Sequence, residues 1–211
     1  MNNAKLISYT QSCVTENPDD LMAYCARVSN PDNQMNTATA PELIKYLIDN
    51  KHWSPMEMAS MCVEIKTTRA IAAQILRHRS FSFQEFSMRY SEVKDIHHPE
   101  LRTKGDTNRQ GSLQPVEVPL QLLGNQSIDY SFKAYQIAIE DGVAPESARM
   151  LLPLATPTTL YMHGTMRSWI HYLDQRLDNH TQKEHRYIAQ SIQSILKDIY
   201  PNLYKAVYND S

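Results

Sequence analysis

Glycine is scarce in this chain of 211 residues: there are five, at positions 105, 111, 124, 142 and 164, and no two are close together. Dinucleotide-binding and P-loop folds both rely on closely spaced glycines that let backbone N–H groups approach a pyrophosphate. Neither fingerprint is present, so charged side chains must hold the phosphates of any nucleotide bound here. The segment best equipped to do so is Arg77-His78-Arg79-Ser80-Phe81-Ser82-Phe83-Gln84-Glu85-Phe86-Ser87-Met88-Arg89-Tyr90, with three arginines, a histidine, a carboxylate and several hydroxyls in fourteen residues. Arginine offers a planar fork of donors and stays charged at any working pH. The serines can donate to phosphate oxygens, and Glu85 can accept from a sugar hydroxyl or a ring N–H. Read structurally, the same segment is a charged helix end anchored by Phe81, Phe83 and Phe86.

The remaining pattern is a short list of strands among more helices. Met58–Lys66 alternates, with Ala59, Met61, Val63 and Ile65 on one face and Ser60, Cys62, Glu64 and Lys66 on the other, as a strand with one polar face requires. Leu6–Thr10 and Thr158–His163 read as further strands, and Gly164-Thr165 as a turn. Helices are expected over Pro18–Val28, from Pro41 to about Asn50, Arg69–His78 capped by Thr67-Thr68, Ser127–Asp141, Pro145–Leu152, Met166–Leu177, and a last helix opened by the capping box Thr181-Gln182-Lys183-Glu184. Arg149 stands alone among apolar residues and, if buried, needs a carboxylate or a ligand anion. Arg167 is in reach of Asp174 on one helical face. The region Lys94–Asn125 reads as an extended excursion or surface hairpin. Strands separated by helices, without repeats or long linkers, predict a single α/β or α+β domain over residues 1–211, a central sheet flanked by helices. The apolar surface of the last two helices suggests subunit contacts as well as a core.

A formal net charge of −2 argues against a general nucleic-acid coat protein. Cys13, Cys25 and Cys62 form neither a disulfide framework nor a metal set, and adjacent His97-His98 lack partners at ligand spacing, so no metal is expected. The absence of a signal-like or bilayer-length apolar run predicts a soluble protein of the cytoplasm, or of the host cytoplasm if the source is viral.

Arg77-His78-Arg79, seven residues, then Ser87-Met88-Arg89 resembles the signature of the flavin-dependent thymidylate synthases. Other blocks occur in that family's order. His52-Trp53-Ser54-Pro55-Met56-Glu57 is similar to its His-x-Ser/Thr-Pro-x-Glu segment, and Gln74 to a glutamine three residues before the signature. Ala148-Arg149 with Leu152-Pro153 resembles its Ala-Arg…Leu-Pro element. Arg167–Arg176 looks like its late helix, and His180-x-Gln182-x-Glu184 like the segment after that helix. Thr165 stands where the family often has asparagine, and Ser80 at an often apolar position.

The resemblance implies reductive methylation of dUMP to dTMP, with methylenetetrahydrofolate as one-carbon donor and NADPH as reductant of bound FAD. It implies a homotetramer whose active sites are shared between subunits. Carried over by position, Gln74, Arg77, Glu85, Ser87, Met88, Arg89, Arg149 and Arg176 would contact dUMP. Ser54, Arg77, His78, Arg79, Glu85, Thr165, Arg167 and His171 would contact FAD, and His52 would lie near flavin or folate. Arg176 is the candidate catalytic residue, a fixed cation facing the uracil ring. The alternatives are an inactive FAD- and nucleotide-binding relative and, more distantly, a single-strand RNA binder.

Overall fold

The computed structural model describes residues 1–105 and 111–208. Its centre is a four-stranded antiparallel sheet in the order β1 (Asn3–Tyr9), β2 (Ser60–Thr68), β6 (Pro157–Thr165), β3 (Ser82–Glu85). The fully antiparallel pairing places the fold on the α+β side of the expectation. β2 shows why the sheet is seated as it is. Met61, Val63 and Ile65 are wholly buried, whereas Cys62 and Glu64 are half-buried and Lys66 is exposed. The same alternation recurs in β6, with Leu160 and Met162 inside and Tyr161 and His163 exposed.

Onto the apolar face pack α1 (Pro18–Ala26), α2 (Ala40–Asp49), α3 (Arg69–Ile75), α6 (Met166–Arg176), α7 (Lys183–Ile199) and α8 (Pro201–Tyr208), in one continuous core. Each buried Ile, Leu or Met there contributes about 1.5–3 kcal/mol. Trp169 is fully buried, and its indole N–H is satisfied by the Met61 carbonyl at 3.2 Å. A smaller core joins Val93, Tyr135 and Ala148 beside α4 (Val118–Glu140) and α5 (Pro145–Ala148). β4 (Arg102–Lys104) and β5 (Ser112–Pro115) form a separate hairpin within the region expected to hold one.

Several expectations are corrected. α3 stops at Ile75, so Arg77–Arg79 lie in the turn beyond it. Thr68 occupies its N-cap position without a side-chain cap; the Thr156 and Leu154 carbonyls take the Arg69 and Ala70 N–H groups instead. α4 begins at Val118, because Pro119 suits a first turn and Gly124 is tolerated where Leu101 packs against it. Gly164 makes no turn. It is the last buried residue of β6, at a point where a Cβ would sit 2.4 Å from the Phe81 ring. α7 is capped at Gln182 rather than Thr181, whose hydroxyl donates to the Gln175 carbonyl. α6 and α7 take the core role expected of them, with Trp169, Leu173, Ile188, Ile192 and Leu196 buried. Tyr187 of α7 remains exposed, and a run of exposed apolar side chains lies on α4, at Val118, Leu120, Leu122, Leu123 and Tyr130. Among the described residues, no helix is long and apolar enough to cross a membrane.

Candidate active site

α6 organises the site because both of its ends hold the turn beyond α3. At its N-terminus the Thr165 hydroxyl accepts from the Ser168 N–H, and the Ser168 hydroxyl donates to the Ser80 carbonyl at 3.2 Å. At its C-terminus Arg176 Nε donates to His78 Nε2 at 2.9 Å. Burial, with the nearby Arg176 and His171, lowers the His78 pKa from 6.5 to about 4. The ring is therefore neutral at physiological pH, and its Nε2 can accept. A protonated ring would set a donor against a donor and release the guanidinium. With Nε anchored, the terminal nitrogens of Arg176 have no partner among the described residues.

Arg176 lines a cleft of about 490 Å³ together with Gln74, Arg77, Gln175, Asp178, His180, Thr181 and Gln182. Behind it, Tyr172 hydroxyl and His185 Nε2 lie 3.0 Å apart, and His185 Nδ1 lies 3.2 Å from Gln74 Oε1. His185 is wholly buried; burial, then Arg176 and His78, lowers its pKa to about 3. Burial also raises the Tyr172 pKa far above its usual value. These groups form a neutral, satisfied layer under a cationic rim.

A second cleft, of about 420 Å³, is lined by Ser87, Arg89, Tyr90, Ala144, Pro145 and Glu146. Arg89 pairs with Glu146 at 3.1 Å, both well exposed. Arg149 is not the buried cation expected from its apolar neighbours. It is half-exposed, at the end of α5, with Nε on the Glu146 carbonyl. Met88 packs on the smaller core.

A third group lies at the outer face of α6. Arg167 reaches Glu57 at 2.5 Å rather than Asp174, because the short helical turn Ser54–Glu57 packs beside α6. This ties the exposed Ser54 to the late helix. His52 is exposed and edge-on to Tyr46. His171 is exposed and in contact with Gln175 along the same helix. Arg77 and Arg79 are exposed and unpartnered among the described residues, an arrangement suited to receiving anionic oxygens.

The residues assigned to dUMP thus do not converge within one chain. Gln74, Arg77 and Arg176 line one cleft and Ser87 and Arg89 the other, with no lining residue in common. Glu85 belongs to neither. Its carboxylate accepts from Arg69 at 2.7 Å and from the Thr158 hydroxyl at 2.9 Å, which fastens β3 to the sheet. The sequence reading missed Arg69, Tyr172 and His185. Only His185 left a signal: a polar residue in register with Ile188 and Ile192 on the apolar stripe of α7.

A family model described as "Thymidylate synthase complementing protein" matches residues 5–202. The probable flavin-dependent thymidylate synthase of Paramecium bursaria Chlorella virus 1 is 48% identical, over 97% of this chain and 98% of its own. The flavin-dependent thymidylate synthase of Synechocystis sp. is 46% identical, over 90% and 89%. Among solved structures, the UMP/dUMP methylase PolB from Streptomyces cacaoi, bound with 5-Br dUMP, is similar with a TM-score of 0.84 at 25% identity, over 98% of this chain and 94% of that one.

Proposed function

The chain belongs to the flavin-dependent thymidylate synthase family, and from that premise we propose how its residues carry out the methylation of dUMP to dTMP. The observation that carries the proposal is Arg176: its Nε is anchored by a neutral His78, leaving the rest of the guanidinium to face the cleft shared with Gln74 and Arg77.

In this reading the uracil base enters that cleft. The fixed cation stabilises negative charge developing at N3 and so raises electron density at C5, the carbon that must take the methylene. Gln74 presents an amide to the base edge. The nucleotide phosphate is received by Ser87, Arg89 and Arg149. Glu146, now held by Arg89, is the carboxylate that an incoming dianion would displace. Glu85 acts through Arg69 and Thr158 to hold β3, and Met88 packs beneath the phosphate-binding residues.

FAD, as the flavin of this family, fits the donor set. In the absence of a glycine loop, the unpartnered Arg77 and Arg79 supply donors to its pyrophosphate, with Ser54, Arg167 and His171 beside them and His52 near the flavin or folate. Thr165 contributes less to FAD than an amide would, because its hydroxyl already caps α6. When bound, FAD reduced by NADPH supplies the hydride, and methylenetetrahydrofolate supplies the carbon. No enzyme thiolate is required: Cys25 and Cys62 are both pushed up by burial, away from the nucleophilic form.

The two dUMP clefts complete each other in a homotetramer, one subunit giving Gln74, Arg77 and Arg176 and another giving Ser87, Arg89 and Arg149. The separation of the clefts and the exposed apolar side of α4 support that assembly. The test is release of tritium from [5-³H]dUMP by the purified protein. The reading expects release that requires FAD, methylenetetrahydrofolate and NADPH, and a flavin spectrum that changes when dUMP is added. A protein that binds neither FAD nor dUMP would overturn it.

A further inference from the structure

The β4–β5 hairpin lies outside every sequence motif of the site, yet it is wired to it. Arg102, at the start of β4, has a side chain only 8% exposed. Its two terminal nitrogens donate to the two oxygens of Glu184, at 2.6 and 2.9 Å, and its Nε donates to the Ser112 hydroxyl across the hairpin. Glu100 accepts from Arg102 at 3.1 Å and from Lys183 at 2.9 Å, closing the pair from outside. From Glu184 the hydrogen bonds run inward. Gln182 Nε2 donates to Glu184 Oε2 at 3.0 Å, and Gln74 Nε2 donates to Gln182 Oε1 at 2.7 Å. Gln74 Oε1 then meets His185 Nδ1, and His185 Nε2 meets the Tyr172 hydroxyl.

The sense of every link is set by the first. An ionised carboxylate can only accept, and the Arg102 fork holds this one beside Gln182, so Gln182 must turn its amide nitrogen to Glu184 and its oxygen to Gln74. Gln74 must then give its nitrogen to Gln182 and its oxygen to His185. The neutral His185 therefore carries its proton on Nδ1 and accepts from Tyr172 on Nε2. Without a fixed acceptor at one end, the two amides could rotate together and exchange donor for acceptor.

We infer that Arg102 is a positioning residue: by fixing the Glu184 carboxylate, it sets which end of the Gln74 amide faces the nucleotide. The inference rests on the proposed role of Gln74 at the uracil edge, where O4 needs a donor and N3–H an acceptor. A reversed amide meets both with the wrong partner. It also gives the hairpin a function that its sequence does not advertise, since Arg102 acts across a sequence separation of 82 residues to Glu184.

The test uses the FAD-loaded enzyme and the dUMP dependence of tritium release. Arg102→Ala is expected to raise KM for dUMP about five- to tenfold, the worth of one well-placed hydrogen bond, with kcat changed less than about twofold. In a Gln74→Ala background the same substitution should add nothing, because the amide it orients is gone. Glu184→Gln keeps the side-chain shape and removes the obligate acceptor, so it should reproduce the effect even if Arg102→Ala fails to fold. A KM for dUMP unchanged in both variants would overturn the inference. So would an equal loss with and without Gln74, the pattern of an ion pair that merely docks the hairpin. Should Gln74→Ala itself use dUMP as the wild type does, the reading of Gln74 would fall first and the inference with it.

Discussion

The two clefts assigned to one nucleotide are built on different principles. Around Arg176, the groups that anchor it are buried or half-buried and hold one another, with neutral His78 and His185 beneath and Gln74 at the side, while Arg77 and Gln182 lie exposed at the rim. Around Arg89, the ion pair with Glu146 is exposed at both ends; such pairs contribute about 0–1 kcal/mol and are easily exchanged. The contrast teaches a division of labour. In the proposed reading, the end that would stabilise charge at a defined atom is preorganised before substrate arrives, whereas the end that would capture a dianion keeps Arg89 loosely held on Glu146.

Substitutions that break the two clefts should therefore differ in kind. The largest effect is expected from Arg176→Ala: kcat should fall by about a hundred- to a thousandfold or more, with FAD retained, as checked by tritium release and visible absorbance. Arg89→Ala should leave kcat at saturating dUMP nearly intact and raise KM by about ten- to a hundredfold, the worth of a charge-assisted contact. Steady-state kinetics distinguishes the two patterns.

Smaller effects probe what holds the rigid cleft. Phe81 packs edge-on against Trp169 at 4.7 Å, and against Tyr172 and His78 at 6.0 and 6.4 Å. Gly164→Ala would drive a methyl into that ring and should cost about 1–3 kcal/mol in denaturant unfolding. The equivalent disturbance of the Arg89 cleft should leave stability nearly unchanged.

The mildest probe is pH. Half-buried His78 and buried His185 both have pKa values below the ordinary 6.5, so between that value and their own the unfolded chain binds more protons. Their contribution to stability is complete above about 6.5 and is lost as pH falls through about 4 for His78 and about 3 for His185. Asp19 acts in the opposite sense. Burial raises its pKa to about 6 although it accepts from the Asn202 and Leu203 N–H groups, so its contribution is full below 3.8 and lost as pH rises through about 6. Histidine NMR separates these effects. At pH 5 the His78 and His185 imidazoles should still carry neutral-form nitrogen shifts, and His78→Ala should remove one of those signals.

Much of this architecture is written locally. The alternation of Met61, Val63 and Ile65, and the helical spacing of Ile188, Ile192 and Leu196, give β2 and α7 because each residue's burial repeats the period of its element. β3 is not legible in that way. It is a four-residue edge strand whose place is decided by pairing with β6 and by the Arg69–Glu85 contact. The capping box was a sound local signal that tertiary structure overrode, since Arg102 and Gln182 occupy the Glu184 carboxylate. Likewise the motif residues of the site are legible, but their division into two clefts is not, because the separation of Arg176 from Arg89 is a property of the folded surface. Arg102 lies in a stretch without period, and its partner lies far along the chain, so no window of sequence could have joined them.

The division between the clefts can be tested by mixing. Arg176→Ala and Arg89→Ala chains, each carrying a different tag, would be co-expressed and the mixed oligomers isolated. If each active site takes Arg176 from one subunit and Arg89 from another, random assembly leaves about a quarter of the sites with both intact. At dUMP well below the wild-type KM, where both parents are weak, the account predicts tritium release from [5-³H]dUMP near that fraction of wild type. A mixed oligomer no more active than its two parents would contradict it.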